Sequence, residues 1–223
     1  MNDLVTTTDF PVMPVSKHTE NLKVWDSVVT TTAFLPRLQL FGGNSDACKE
    51  GKIGIGRYGL VKNKEIIDYG PQIDAYPLSL RFKAMRIAGE NIFNYHNPES
   101  PEFQKIMADS EIQNSGCFYG PEFLLWLPST KVFATFLLGS KSARMLGQDL
   151  KGPLDNRQGV TLKCKLVENK AKQKWHIPVI LINSTPFDMP NPDEAYSQCE
   201  KFANPKDSEV ESAESATTSD RIL

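Results

Sequence analysis

Short runs in which apolar and polar residues alternate are the feature that most constrains this chain. Between residues 76 and 87, every second residue is apolar: Leu78, Leu80, Phe82 and Ala84. The residues between them are polar or basic: Ser79, Arg81 and Lys83. Successive side chains of a β-strand point to opposite faces, so this run predicts a strand with an apolar inner face and a basic outer face.

Short turns join further runs of this kind into three predicted β-hairpins. They pair residues 53–61 with 65–69, 122–127 with 131–138, and 159–168 with 173–182. Helical spacing predicts short helices over residues 102–112, 140–150 and 192–203, with Gly152-Pro153 ending the second and a loop over residues 114–121 following the first. The predicted fold class is α+β, mostly β, with antiparallel hairpins in a small OB-like barrel or a sheet. A β-sandwich is the alternative.

Composition divides the chain into three predicted parts. Residues 1–30 contain Pro11 and Pro14 and predict an extended arm. Residues 31–204 predict one β-rich globular domain, and residues 205–223, with few apolar residues, predict a disordered acidic tail. The chain begins without the basic and apolar segments of a secretory signal and has no apolar run long enough to span a bilayer, which predicts a cytoplasmic protein without membrane contact.

The charge of the chain is unevenly distributed. The total is −2, but residues 37–175 carry a net charge of +6 and both ends are acidic. A basic body with an acidic tail is typical of a protein that binds polyanions, with the tail competing for the same surface or recruiting partners. An excess of this size is also found in proteins that bind no polyanion.

No motif of catalysis, cofactor binding or metal binding stands out. Gly54–Gly59 spells G-x-G-x-x-G, but a strand-like run follows it where a dinucleotide site needs a helix. His18, His96 and His176 lack the partner spacing of a metal set. The sequence therefore predicts no cofactor, no metal and no enzymatic activity, although an enzyme without a sequence signature stays open.

Cations and aromatic residues favour the binding of single-stranded nucleic acid, in which rings stack on bases and cations contact phosphates. Lys141 and Arg144 open a helix after Gly139, where they could contact phosphate or form an ordinary cap. Alternation predicts that Phe82 and Trp175 face the core, which leaves tyrosines as the stacking residues. The predicted nucleic-acid-binding residues are Arg57, Tyr58, Arg81, Lys83, Tyr119, Lys141, Arg144, Lys163, Lys165, Lys172 and Lys174.

Three segments resemble a family of bacteriophage proteins without assigned chemistry: residues 35–40 (LPRLQL), 115–122 (SGCFYGPE) and 133–144 (FATFLLGSKSAR). The resemblance covers roughly residues 33–190. The layout of a basic β body and an acidic tail also resembles phage single-stranded DNA-binding proteins of the OB-fold type.

This resemblance implies a function in phage DNA replication or recombination within the host cytoplasm. Single-stranded DNA would be the main partner, replication or recombination proteins would dock on the tail, and a homo-oligomer is left open. The alternative function is a protein–protein interaction module, such as a virion component or an inhibitor of a host enzyme.

Overall fold

A computed structural model describes residues 35–62, 65–88, 91–112, 115–170, 172–183 and 188–205, together with the backbone of Val210–Ser212. The described residues belong to one of two compact units of the chain, Phe34–Leu223. The predicted arm over residues 1–30 lies outside the described residues. So does the predicted tail apart from Pro205 and residues 210–212.

The described residues contain ten strands in a mixed sheet, which confirms the predicted α+β, mostly β fold class. The main strand order is β10-β5-β4-β6-β7-β1-β2-β3, and a β8–β9 hairpin branches from β4. The strands are β1 (Arg37–Phe41), β2 (Arg57–Lys62), β3 (Glu65–Gly70), β4 (Gln72–Ala88), β5 (Asn91–Tyr95), β6 (Cys117–Leu127), β7 (Val132–Leu137), β8 (Gly159–Glu168), β9 (Lys174–Asn183) and β10 (Val210–Ser212). All pairings are antiparallel except β1 with β7.

Five helical segments accompany this sheet in the described residues. They are α1 (Asp46–Lys49), α2 (Pro101–Asp109), α3 (Lys141–Met145), α4 (Gly147–Asp155) and α5 (Pro192–Ala203). Ser100 caps α2, because its hydroxyl accepts a hydrogen bond from the Phe103 amide at 3.2 Å, and Pro101 begins the first turn. Asn191 caps α5 in the same way, and Pro192 is its first residue.

The 17-residue strand β4 belongs to two pairings and thereby organises the fold. Its first residues, 72–75, pair with β8, and the rest pairs with β6 and β5. The register shifts between Pro77 and Ser79, at the junction of the two parts. Such an irregularity bends a strand and re-aims the side chains after it.

Two cores lie on the two sides of the main sheet. The larger one contains Phe123 and Leu125 of β6 together with Val160 and Leu162 of β8, all of them fully buried. The second joins Trp126 and Phe133 to Phe202 of α5. Because α5 covers this second side, strand residues that point toward it are removed from solvent.

Four local predictions are wrong. The predicted strand over residues 53–61 begins only at Arg57, because Ile53 packs beside α1 in a small core with Phe41 and Val61. Residues 117–121 are not a loop but the first part of β6. Gly120 suits this strand since a Cβ there would collide with the Leu138 carbonyl oxygen.

The other two corrections concern a helix and the tail. The predicted helix over residues 140–150 consists of α3 and α4, and α4 continues through Gly152 and Pro153 to Asp155. In the predicted disordered tail, Val210–Ser212 form β10 and pair with β5. Strand β5 and helix α1 were not predicted.

Candidate nucleic-acid interface

The predicted binding residues do not form one surface but lie in four places. The first place is a buried ion cluster, defined here as Arg81, Lys83, Glu122 and His96. Arg81 and Glu122 face each other across β4 and β6, with the Arg81 Nε 2.7 Å from the Glu122 Oε2. The Lys83 ammonium lies 3.1 Å from Oε1 of the same carboxylate.

Helix α5 covers the Arg81 side of this cluster. The guanidinium of Arg81 lies 4.1 Å from the ring centroid of Phe202 and donates a hydrogen bond of 2.8 Å to the Phe202 carbonyl. Glu122 is 1% exposed and Lys83 is 7% exposed. The predicted basic outer face of β4 is therefore wrong, and neither Arg81 nor Lys83 is placed to contact a phosphate chain.

The cluster is electrostatically coupled. Burial alone would raise the pKa of the Glu122 carboxyl, but Lys83 and Arg81 outweigh burial and hold that pKa below its usual value. Burial lowers the pKa of His96 to about 4, and the nearby Arg81 and Lys83 contribute to the shift. The chemistry of this cluster is that of a buried ion pair with an added cation, next to a neutral imidazole.

The second place is the start of β2, where Arg57 and Tyr58 are both engaged. The Arg57 Nε lies 2.9 Å and 2.7 Å from the two carboxylate oxygens of Asp68. Tyr58 is fully buried, and its hydroxyl donates a hydrogen bond of 3.1 Å to the Lys163 carbonyl. Burial raises the pKa of Tyr58, so its hydroxyl stays protonated. The prediction that Tyr58 stacks on bases does not fit this burial.

The third place is an aromatic patch, defined here as Phe82, Tyr119 and Arg144. The rings of Phe82 and Tyr119 stack with centroids 5.9 Å apart and an interplanar angle of 16°. The guanidinium of Arg144 lies 5.7 Å from the Tyr119 centroid. Phe82 is 46% exposed, which contradicts the predicted inward orientation.

A carboxylate neutralises Arg144 of this patch and the nearby Lys141. Glu111 lies 2.6 Å from Nη2 of Arg144 and 3.5 Å from the ammonium of Lys141. The hydrogen bond and charge of Arg144 lower the pKa of Glu111, so this carboxyl is ionised at neutral pH. The patch therefore offers stacking rings but little uncompensated positive charge.

The fourth place is the hairpin face, defined here as the outer side of β8 and β9 with Lys163, Lys165 and Trp175. Lys163 pairs with Val179, Lys165 with Ile177, and Trp175 with Val167. These positions share one side of the hairpin since paired residues and every second neighbour point the same way. The prediction that Trp175 faces the core is wrong, because the core side carries Leu162 and Cys164 instead.

The cations of the hairpin face are exposed and uncompensated. Lys163 and Lys165 are exposed, and neither ammonium has a carboxylate partner among the described residues. Lys172 is also exposed, in the turn of the hairpin, with a φ of 61°. Lys174 points to the other side and lies 3.5 Å from the Glu168 carboxylate.

The length of the turn between β8 and β9 indicates on which side Trp175 lies, whereas the alternation within β9 does not. Asn169 and Gln173 close the turn, with the Asn169 amide 3.0 Å from the Gln173 carbonyl, so Glu168 pairs with Lys174. That turn length fixes Trp175 on the same side as Lys165. The exposure of Phe82 had no such signal, because Phe82 shares a face of β4 with the buried Ala84.

The site and fold define an α+β, mostly β protein with an open basic hairpin face. No family model, no curated protein and no solved structure matches this chain. Within the described ranges, no helix is both long and apolar enough to cross a membrane. Nor do the described residues contain a group of three His, Cys, Asp or Glu side chains that could hold a metal ion.

Proposed function

We propose that this protein binds single-stranded DNA on the hairpin face, without catalysing a reaction. The observation that supports the proposal most strongly is that Lys163 and Lys165 are exposed beside Trp175 without a carboxylate partner among the described residues. Free ammonium groups release condensed counterions from a phosphate backbone when they bind it. An indole ring on the same face supplies a platform on which a base can stack.

The tail and the biological setting belong to the same proposal. Residues 206–223 carry a net charge of −3. An acidic tail would compete with DNA for the lysines and release them when replication or recombination proteins bind it. The host cytoplasm is the proposed location, and phage replication or recombination the proposed process.

Fluorescence anisotropy with a labelled 30-mer of thymidine, at 50 mM and 200 mM salt, tests this proposal. Three contacting lysines give a slope of log affinity against log salt of about −2, or a roughly 20-fold loss between the two concentrations. The double variant Lys163→Gln, Lys165→Gln should bind about tenfold more weakly at 50 mM salt. Its slope of log affinity against log salt should be about −0.7. A chain that ends at Pro205 should bind more tightly than the full chain.

A matched control uses two lysines of α1 and its following turn. Lys49 and Lys52 are exposed but paired with Asp46 at 2.9 Å and Glu50 at 2.7 Å. The variant Lys49→Gln, Lys52→Gln removes the same charge and should bind like the wild type. No binding at 50 mM by either the full or the shortened chain, or equal losses in both double variants, would refute the proposed interface.

One observation favours the second candidate, a protein–protein interaction module. Strand β9 has β8 as its one sheet neighbour in the described residues, and Leu181 and Ile182 near its end are 42% and 60% exposed. An exposed apolar edge strand can pair with a strand of another chain. A stable complex with a partner protein, without any DNA affinity, would favour this candidate.

A further inference from the structure

A cleft lies between β1, the end of β7, α3 and β9, with β4 and β5 on its remaining side. It is partly open to solvent. It exists because β7 ends at Leu137 while β1 continues to Phe41, and the two strands pair at one position, Arg37 with Thr135. Beyond that pair, Gln39 and Leu40 of β1 border the cleft.

The cleft contains a guanidinium group whose charge is not balanced by a neighbour. The Nε atom of Arg37 is buried and has no hydrogen-bond partner, and Arg37 forms no ion pair within the described part of the chain. None of the residues that line the cleft is Asp or Glu. By contrast, Arg57, Arg81 and Arg144 each bind a carboxylate.

Removing a guanidinium donor from water without an acceptor is unfavourable, so Arg37 is suited to an anion supplied from outside the chain. A planar guanidinium binds a carboxylate through two parallel hydrogen bonds. The Ser140 hydroxyl, which also lines the cleft, accepts a hydrogen bond from the Ala143 amide at 3.2 Å and keeps its own proton to donate.

The remaining walls are mostly aliphatic. They include side chains from five different strands and α3: Leu40, Met85, Ile92, Leu137, Ala143 and Ile177. Walls in which aliphatic side chains predominate favour a flexible hydrocarbon body. They also disfavour a peptide backbone, because each peptide amide would need a hydrogen-bond partner that aliphatic side chains lack.

We propose that this cleft binds a medium-chain aliphatic carboxylate, with the carboxylate on Arg37 and the hydrocarbon chain against the aliphatic walls. The cleft contains none of Lys163, Lys165 and Trp175, although Ile177 borders both the cleft and the hairpin face. Trp175 belongs to the hairpin face, whereas His176 and Pro178 line the cleft. The proposal therefore stands or falls independently of DNA binding.

Isothermal titration calorimetry of the full chain with sodium octanoate tests the assignment. Octanoate should bind with a stoichiometry of one, and octan-1-ol, which has the same chain without the charge, should bind at least tenfold more weakly. Lengthening the acid from butanoate to octanoate should strengthen binding about two- to fourfold per methylene group. Arg37→Gln should weaken octanoate binding at least tenfold, and Arg37→Lys should weaken it less.

Arg86→Gln is the matched control, because Arg86 is an exposed arginine of β4 between the lining residues Met85 and Ile87 but does not itself line the cleft. It should bind octanoate like the wild type. Equal affinity for octanoate and octan-1-ol, an unchanged affinity in Arg37→Gln, or no heat of binding would overturn the proposal. Tighter binding of a peptide with a C-terminal Leu carboxylate than of octanoate would overturn the choice of an acyl chain. If Arg37→Gln does not fold, the affinities of the wild-type protein for octan-1-ol and for the acids from butanoate to octanoate test the proposal.

Discussion

The lysines of β4 and those of β8 look alike in the sequence and differ completely in the fold. Lys83 alternates with apolar neighbours just as Lys163 and Lys165 do. Lys83 is buried against Glu122, whereas the two hairpin lysines are exposed and have no carboxylate partner among the described residues. Charge in the first region stabilises the fold, and charge in the second is available to a ligand.

The difference shows what alternation can and cannot determine. A period of two assigns residues to two faces, but it does not show which face another element covers. For β4 that element is α5, whose Phe202 lies 121 positions after Arg81 in the chain. On the outer side of β8, Lys163 and Lys165 remain exposed.

The largest effect is expected from breaking the buried ion cluster. Glu122→Gln leaves the buried Lys83 and Arg81 without their counter-charge, which should lower the free energy of unfolding by about 3–5 kcal/mol. Urea denaturation followed by circular dichroism measures it. Asp68→Asn, at the half-exposed pair with Arg57, should cost at most about 1 kcal/mol. Similar losses in the two variants would mean that the cluster is not specially stabilising.

A smaller effect, on affinity, is expected from the ring on the hairpin face. Trp175→Ala should weaken binding of oligothymidine by about 1–3 kcal/mol, the usual contribution of one stacked base. Trp175→Phe keeps a ring and should lose less. Phe82→Ala removes the exposed ring of the aromatic patch and should leave the affinity unchanged. A larger loss for Phe82→Ala than for Trp175→Ala would move the interface to the aromatic patch.

The pH dependence of stability should report on His96. Because the pKa of His96 is about 4 in the folded protein and 6.5 without the fold, the unfolded chain takes up a proton first as the pH falls. The stability contributed by the neutral ring is complete above pH 6.5 and is lost as the pH falls toward 4. Since the ring is only partly buried, we expect a loss of about 1–2 kcal/mol. Urea denaturation at several pH values should show this loss, and His96→Gln should flatten it over the same range.

The smallest effect is expected on stability, when the hairpin lysines are substituted. Lys163→Gln with Lys165→Gln should change the free energy of unfolding by less than about 0.5 kcal/mol, as is usual for exposed side chains. Thermal and urea denaturation of the double variant measure it. A loss as large as that of Glu122→Gln would show that these lysines stabilise the fold, and their effect on DNA affinity could not then be assigned to direct contact.

Local signals predicted part of the fold correctly. Helical spacing over residues 192–203 predicted α5, and the short turn between residues 159–168 and 173–182 predicted the β8–β9 hairpin. Residues 117–121 were misread because Gly120 and Pro121 usually break strands. In β6 that glycine permits the close approach of the Leu138 carbonyl, which is a tertiary requirement that the local sequence does not express.

The candidate sites were predictable to different extents. The sequence identified Lys163 and Lys165 as candidate binding residues. It could not show that they form no ion pair with the described residues, because the tertiary fold determines which charged side chains meet. The cleft had no signal at all. Arg37 and His176 line the same cleft although they are far apart in the sequence. The cleft opens where β7 ends, at Leu137.

Backbone amide shifts in two-dimensional NMR, recorded during titration with an eight-nucleotide oligothymidine, test the central claim most directly. The account predicts that the largest shift changes fall on Lys163, Lys165 and Trp175, with little change at Lys83 and Tyr119. Shift changes centred on Tyr119 and the aromatic patch, or no changes at low salt, would contradict it.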